Sequence, residues 1–112
     1  MAKQTGGWTV TWQGDEITNA DIPNGDTLLA AIRAEAGARN VTYSASGNDV
    51  NVRNFDVVIA VMGEKPYAEM KGDVRPPETL RHADRYADDA AAIAAVSGKG
   101  VPVVTVLFSG RM

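Results

Sequence analysis

Two glutamates with an aromatic between them, Glu64, Tyr67 and Glu69, and a further acid at Asp73 crowd one short stretch, Gly63–Asp73. Two acids in such a loop are more often solvated charge than a functional pair, and the chemistry open to a functional pair is cleavage of a glycosidic bond. That reaction needs one carboxylic acid to protonate the leaving oxygen and a second carboxylate on the other side of the ring, about 5–5.5 Å away when configuration is retained. A glutamate in a partly dry loop beside an aromatic fits the acid role, because burial disfavours its charged form. Glu69 fits this better than Glu64. Glu64 follows Gly63 at a strand end and could instead fix the loop through backbone N–H groups. Asp73, after Gly72, reads as a turn or cap residue. Lys65, Lys71 and Arg75 either neutralise the loop's acids or are solvated, and solvation is the default for exposed charge.

Other chemistries find less support. His82 is the only histidine and there is no cysteine, so neither a metal site nor a Cys/His dyad is expected. Ser109-Gly110 lacks the Gly-x that precedes the serine of a nucleophile elbow. Gly98-x-Gly100 falls between a predicted helix and a predicted strand, the wrong order for a phosphate cradle, and reads as a helix stop.

The elements that must position the acidic loop follow from periodicity. Phe55–Met62 is an apolar, β-branched run ending at Gly63, with Pro66 and Gly72 beyond it; this predicts a buried strand breaking into an ordered loop. Ligands in open α/β sheets bind at the carboxyl ends of strands. Val101–Phe108 is a second such strand, with Pro102 tolerated near its start. Strands apolar on both faces suit a parallel sheet covered by helices. Asp26 or Thr27 caps a helix carrying Leu28, Ile32 and Ala36, and Gly37 stops it. A second helix opens at Asp84 or Asp88 and turns Tyr86, Ala90, Ile93 and Val96 to one face. Arg39–Ser44 reads as a short strand, Ala45–Asn54 as a turn leading into a short amphipathic piece, and Gln13–Gly25 as a long surface loop. Trp8-Thr9-Val10-Thr11-Trp12 alternates large and polar residues, as a short strand or extended arm would, with its aromatics pinning the terminus. Strands alternating with helices predict an α/β fold: a small, mostly parallel sheet flanked by helices, in a Rossmann-like three-layer sandwich. Two or three strands leave exposed edges, which proteins usually cover or pair.

At 112 residues, 45% hydrophobic and 22% charged, the chain suits one small domain with a real core. Its net charge of −3, with both signs mixed, makes nucleic acid an unsuitable partner. No apolar run approaches the roughly 20 residues that span a bilayer, so no membrane partner is expected, and the N-terminus has no signal-peptide core.

Three stretches together resemble one family. Gly63-Glu64-Lys65-Pro66-Tyr67-Ala68-Glu69-Met70-Lys71-Gly72-Asp73 is similar to the GE-x-PY-x-E-xx-GD loop in the second domain of family-three glycoside hydrolases of the exo-1,3/1,4-β-glucanase and β-glucosidase type. Gly6-Gly7-Trp8-Thr9-Val10-Thr11-Trp12-Gln13-Gly14 resembles their GGWT-xx-WQG stretch. Val101-Pro102-Val103-Val104 through Ser109-Gly110-Arg111 resembles their G-x-PVV…SGRP segment. The matches fall in the family's order and span nearly the whole chain.

The resemblance implies that residues 1–112 are a shortened form of that family's (α/β)6 second domain. It implies that Glu69 is the general acid/base of a retaining hydrolysis and that Trp12 binds substrate, helping to clamp a sugar ring on the aglycone side. Glu64, Tyr67, Gly72 and Asp73 match positions that shape the loop, Trp8 a structural one, and Arg111 an arginine of unclear duty. The implied partner is a β-glucoside or β-glucan, met in the context of a barrel domain, and no cofactor is implied. The family's proteins are commonly periplasmic or secreted. Their nucleophile is an aspartate on a separate (β/α)₈ barrel, and nothing like that barrel is present here, so the chain alone is expected to lack significant glycosidase activity. The competing reading is a stand-alone module that kept the fold, lost catalysis and self-associates through its sheet edge, for instance as a homodimer. A flavodoxin-like nucleotide or flavin binder would need a phosphate loop between strand and helix, which the sequence lacks.

Overall fold

The structure is a computed structural model and describes residues 4–110. Its regular elements are α1 (Leu28–Ala36), β1 (Val58–Gly63), α2 (His82–Arg85), α3 (Ala87–Val96) and β2 (Val103–Phe108). They belong to two compact units. One holds the residues up to Tyr43 together with Lys65–Gly72; the other holds Ser44–Glu64 together with the chain from Asp73 onward.

The second unit contains the sheet. β1 and β2 pair in parallel, with Val58 opposite Val103 and Gly63 opposite Phe108. The Val58 N–H donates to the Pro102 carbonyl (2.9 Å), so the proline sits one residue before the ladder and forfeits no bond. Gly63 eases the close approach there, since a Cβ on it would stand a tight 3.0 Å from the Phe108 carbonyl oxygen. α3 packs against β1. Val96, at its last turn, is buried, as are Val52 and Met62 of the same unit. The predicted α/β class and parallel pairing are thus observed. Side chains alternate across a strand, so Ile59, Val61 and Val104 share one face, and that face is 41–51% exposed.

α3 does not start on an aspartate. Its N-cap is Tyr86, and Asp88 and Asp89 lie in the first turn, where acids complement the N-terminal end of the helix dipole. Asp84 falls inside the separate four-residue α2. Tyr86 breaks the two apart with a non-helical backbone (φ −133°, ψ 69°).

In the first unit α1 starts where predicted. The Ala30 N–H donates to Thr27 Oγ1 (3.0 Å), and Gly37 ends the helix at φ 82°. Two expected strands are not strands. Arg39–Ser44 begins instead as a single 3-10 turn, Ala38–Asn40, because Gly37 O accepts from the Asn40 N–H (2.9 Å) and the Asn40 side chain caps Ala36. Trp8–Trp12 is folded back on itself: the Trp8 N–H donates to the Trp12 carbonyl (2.8 Å), and Trp8 and Val10 take φ near +65°. Alternation of large and polar residues mimicked a strand there, but among the described residues no partner strand pairs with it. Gln13–Gly25 is a loop, though not wholly a surface one, since it buries Ile17 and contains a 3-10 turn at Asn19–Asp21.

Candidate functional site

The first unit joins two of the three motifs that carried the resemblance. Residues 6–15 and residues 65–72 interlock through backbone. A Cβ on Gly7 would stand 2.2 Å from the Tyr67 carbonyl oxygen, and one on Gly14 would meet Gly6 O at 2.6 Å and Pro66 Cβ at 3.3 Å. Gly72 makes the same kind of approach, since its Cβ would lie 2.7 Å from both the Ala68 carbonyl and the Tyr67 ring. These glycines are therefore contact surfaces, and their spacing lets one motif dock on the other.

Glu69 stands at the exposed end of this assembly. Trp12 Nε1–H donates to Glu69 Oε2 at 2.8 Å. That bond, followed by one from Glu69's own backbone N–H, holds the carboxyl below the usual glutamate range. Glu69 is therefore a carboxylate at neutral pH. It is ready to take a proton and must be reprotonated before giving one. The burial that was expected to raise its pKa is absent, because the side chain is exposed.

Trp8 and Trp12 lie with ring centroids 6.1 Å apart and planes tilted by 45°. They are 70% and 46% exposed. Neither is buried in a core, contrary to the anchoring role read from the residues alone. Their positive-φ turn carries the rings outward, and together they form an open aromatic surface next to the Glu69 carboxylate. Indole faces of this kind suit the C–H faces of a sugar ring.

The loop around Glu69 is tied on two sides. Gln13 Nε2 donates to the Glu69 carbonyl (2.7 Å), while Gln13 Oε1 accepts from the Ala68 N–H (2.9 Å). Lys71 Nζ pairs with Asp15 Oδ2 at 2.6 Å. Each partner favours the other's charged form, lowering the Asp15 carboxyl and raising the Lys71 ammonium. Within the loop, the Gly72 N–H donates to Ala68 O and the Lys71 N–H to Glu69 O, with Met70 at φ 73° between them. Lys71 thus has a specific partner, where solvation was the default expectation. Sequence reasoning missed Gln13 and Asp15, although both lie in or beside the WQG motif; nothing in a lone Gln marks it as a backbone ligand.

Of the other predicted residues, Tyr67 and Gly72 belong to this loop, and Glu64 and Asp73 belong to the second unit. Glu64 is 7% exposed, and its carboxylate accepts from Arg85 Nη1 (3.1 Å), Ser109 Oγ (3.0 Å) and the Gly110 N–H (3.2 Å). A carboxylate so enclosed ties the end of β2 to α2. Beside it, His82 Nε2 lies 2.9 Å from Asp89 Oδ2, which also accepts from the Gly63 N–H, and the His82 ring stacks on Tyr86 with centroids 4.7 Å apart. Asp73 is exposed and pairs with Arg75 at 3.3 Å. Arg111 lies outside the described residues. Among the described residues no group of three His, Cys, Asp or Glu side chains is placed to hold a metal ion, and no helix is long and apolar enough to cross a membrane.

In sequence and in fold, the chain is similar to part of known β-glucosidases and exo-β-glucanases. In structure, the chain superposes on the exo-1,3/1,4-β-glucanase ExoP from a Pseudoalteromonas species with a TM-score of 0.78 and 34% identity, over 98% of this chain and 17% of that one, in a glutamine-to-alanine mutant. A second ExoP structure gives 0.73 and 33%, over 95% of this chain and 13% of that one. In sequence, it is 26% identical over 123 residues to the lysosomal β-glucosidase of Dictyostelium discoideum, covering 95% of this chain and 14% of that protein. No family model matches the chain. The resemblance read from the three motifs is therefore met in both sequence and fold, over a small part of each relative's length.

Proposed function

We propose that this chain is a glycosidase-derived domain that supplies the general acid/base, Glu69, and part of the sugar-binding surface, Trp12, for retaining hydrolysis of β-glucosidic bonds. The observation that carries the reading is the 2.8 Å hydrogen bond from Trp12 Nε1 to Glu69 Oε2 on an exposed lip. It puts a proton-transfer group and an aromatic sugar platform side by side.

In this scheme protonated Glu69 gives its proton to the glycosidic oxygen as the bond from that oxygen to the anomeric carbon breaks. A carboxylate nucleophile on a barrel domain closes on the same carbon. The Glu69 carboxylate then takes a proton from water as the water oxygen displaces the nucleophile. The ionised state favoured by Trp12 suits the second step. The first step needs Glu69 protonated, and the negative charge of a nearby nucleophile would raise its pKa to that end. Glu64, Tyr67, Gly72 and Asp73 act in shaping the loop and its flanks. The substrate is a β-glucoside or β-glucan, and the chain on its own is inactive because it provides no nucleophile.

The test is hydrolysis of an aryl β-glucoside by the purified chain. No turnover above buffer is expected. Turnover that Glu69→Gln abolishes would mean that the nucleophile resides in this chain and would overturn the scheme. Sugar binding is read separately, as a change in tryptophan fluorescence on titration with glucose or cellobiose that Trp12→Ala removes. A response unaffected by Trp12→Ala would remove Trp12 from the site.

A second reading rests on a different observation. Ile59, Val61 and Val104 are exposed together on one face of a sheet that has two strands among the described residues. Such a surface favours self-association of a stand-alone module. Sedimentation at several concentrations discriminates: a monomer throughout the range excludes this reading.

A further inference from the structure

We propose that Gln13 is the positioning residue of Glu69: its carboxamide grips the main chain at both ends of the Ala68–Glu69 segment, while its neighbour Trp12 holds the carboxylate. The inference rests on the reading of Glu69 as the acid/base.

The geometry admits one orientation of the amide. Ala68 N–H can only donate and Glu69 C=O can only accept, so Oε1 must face the first (2.9 Å) and Nε2 the second (2.7 Å). Two hydrogen bonds from one rigid plane fix both the position and the direction of the segment between them. That matters because Met70, the next residue, sits at φ 73°. A left-handed backbone is unfavourable for a residue with a side chain and persists only where its surroundings hold it. The Glu69 carbonyl is the hinge of that turn, accepting from the Lys71 N–H (3.0 Å) as well as from Gln13. Release of the Gln13 amide would let the turn relax, swing the Glu69 Cα, and pull its carboxylate from the Trp12 indole. Trp12 and Gln13 are adjacent in sequence, so one short segment controls the side chain and the main chain of the same glutamate. Catalytic groups need this double support, since a displacement of about 1 Å can lower a rate by roughly a hundredfold.

The experiment is an NMR titration of the chain itself, with Trp8→Phe leaving Trp12 as the single indole. The Trp12 Nε1–H resonance should follow ionisation of Glu69, with a midpoint below the ordinary glutamate value. Gln13→Met keeps the volume and removes both hydrogen bonds. It is expected to raise that midpoint, to shrink the pH-dependent shift of the indole, and to speed exchange of the Ala68 N–H about fivefold, as loss of one ordinary hydrogen bond implies. Asp15→Asn, which loosens the loop without touching residues 68 and 69, should leave the indole midpoint where it was. An unchanged midpoint in Gln13→Met, or an equal shift in Asp15→Asn, overturns the proposal. Should Gln13→Met not fold, the unmodified chain decides. The Gln13 side-chain amide protons must show contacts to residues 68–70 and protection from solvent, and their absence rejects the clamp. These readouts involve no turnover, so they can fail while the acid/base reading stands, and the reverse.

Discussion

Glu69 and Trp12 form a pair in which each side chain governs the other. The indole N–H stabilises the carboxylate, so Trp12→Phe is expected to raise the Glu69 pKa, read by carboxyl carbon NMR. The sign of the effect on stability follows. A carboxyl held below its ordinary value of 4.5 contributes stability that is fully present above that value and is lost as pH falls through the lower, folded one. Asp15 and Asp21 are held low as well, by Lys71 and Thr18. The informative quantity is therefore the difference between the two proteins: Trp12→Phe should lose less stability than the unmodified chain on acidification from pH 5 downward, measured by urea unfolding. Lys71 works in the opposite sense. Its raised pKa means that its part of the Asp15 pair is fully present below 10.5 and disappears at higher pH.

Glu64 is a glutamate of another kind. Its enclosure by Arg85, Ser109 and Gly110 makes it a structural group, and truncating it strands a guanidinium. Glu64→Ala should destabilise the chain by about 2–3 kcal/mol, less than for a fully buried pair because Arg85 is partly exposed. The midpoint of urea unfolding measures this, and a change within error would show that the network carries no net stability.

At the scale of elements, caps and close approaches decide the outcome. Thr27→Ala removes the acceptor for the Ala30 N–H and should cost about 1 kcal/mol, seen as a lower midpoint together with weaker helical circular dichroism. Gly7→Ala is expected to be worse. Its methyl would press on the Tyr67 carbonyl oxygen, and neither backbone can yield without undocking one motif from the other. A loss of about 2–3 kcal/mol is expected, accompanied by loss of the pH-dependent indole shift at Trp12. Helix α3 illustrates how elements escape a sequence reading: aspartate spacing suggested the cap, but the break at Tyr86 set the start.

For the molecule as a whole, Ile59, Val61 and Val104 are exposed together on one face of the sheet. If that face drives self-association, Val61→Lys should return the sedimentation coefficient to a concentration-independent monomer value while leaving the Trp12 titration intact. An unaltered concentration dependence would place the contact elsewhere.

Local signals in the sequence determined α1, both strands of the parallel sheet and the candidacy of Glu69, because a cap with an apolar period, a β-branched run and a loop glutamate are each written in neighbouring residues. Local signals misread Trp8–Trp12 and Arg39–Ser44, where alternation resembled a strand but no partner strand pairs with it among the described residues. What only the tertiary structure decided was the surroundings of the two glutamates. Glu64 and Glu69 are five residues apart in similar company, yet one is sealed by Arg85 and the other is held by an indole fifty-seven positions away. A carboxylate's role depends on which donors reach it, and donors brought from distant parts of the chain leave no trace in local spacing.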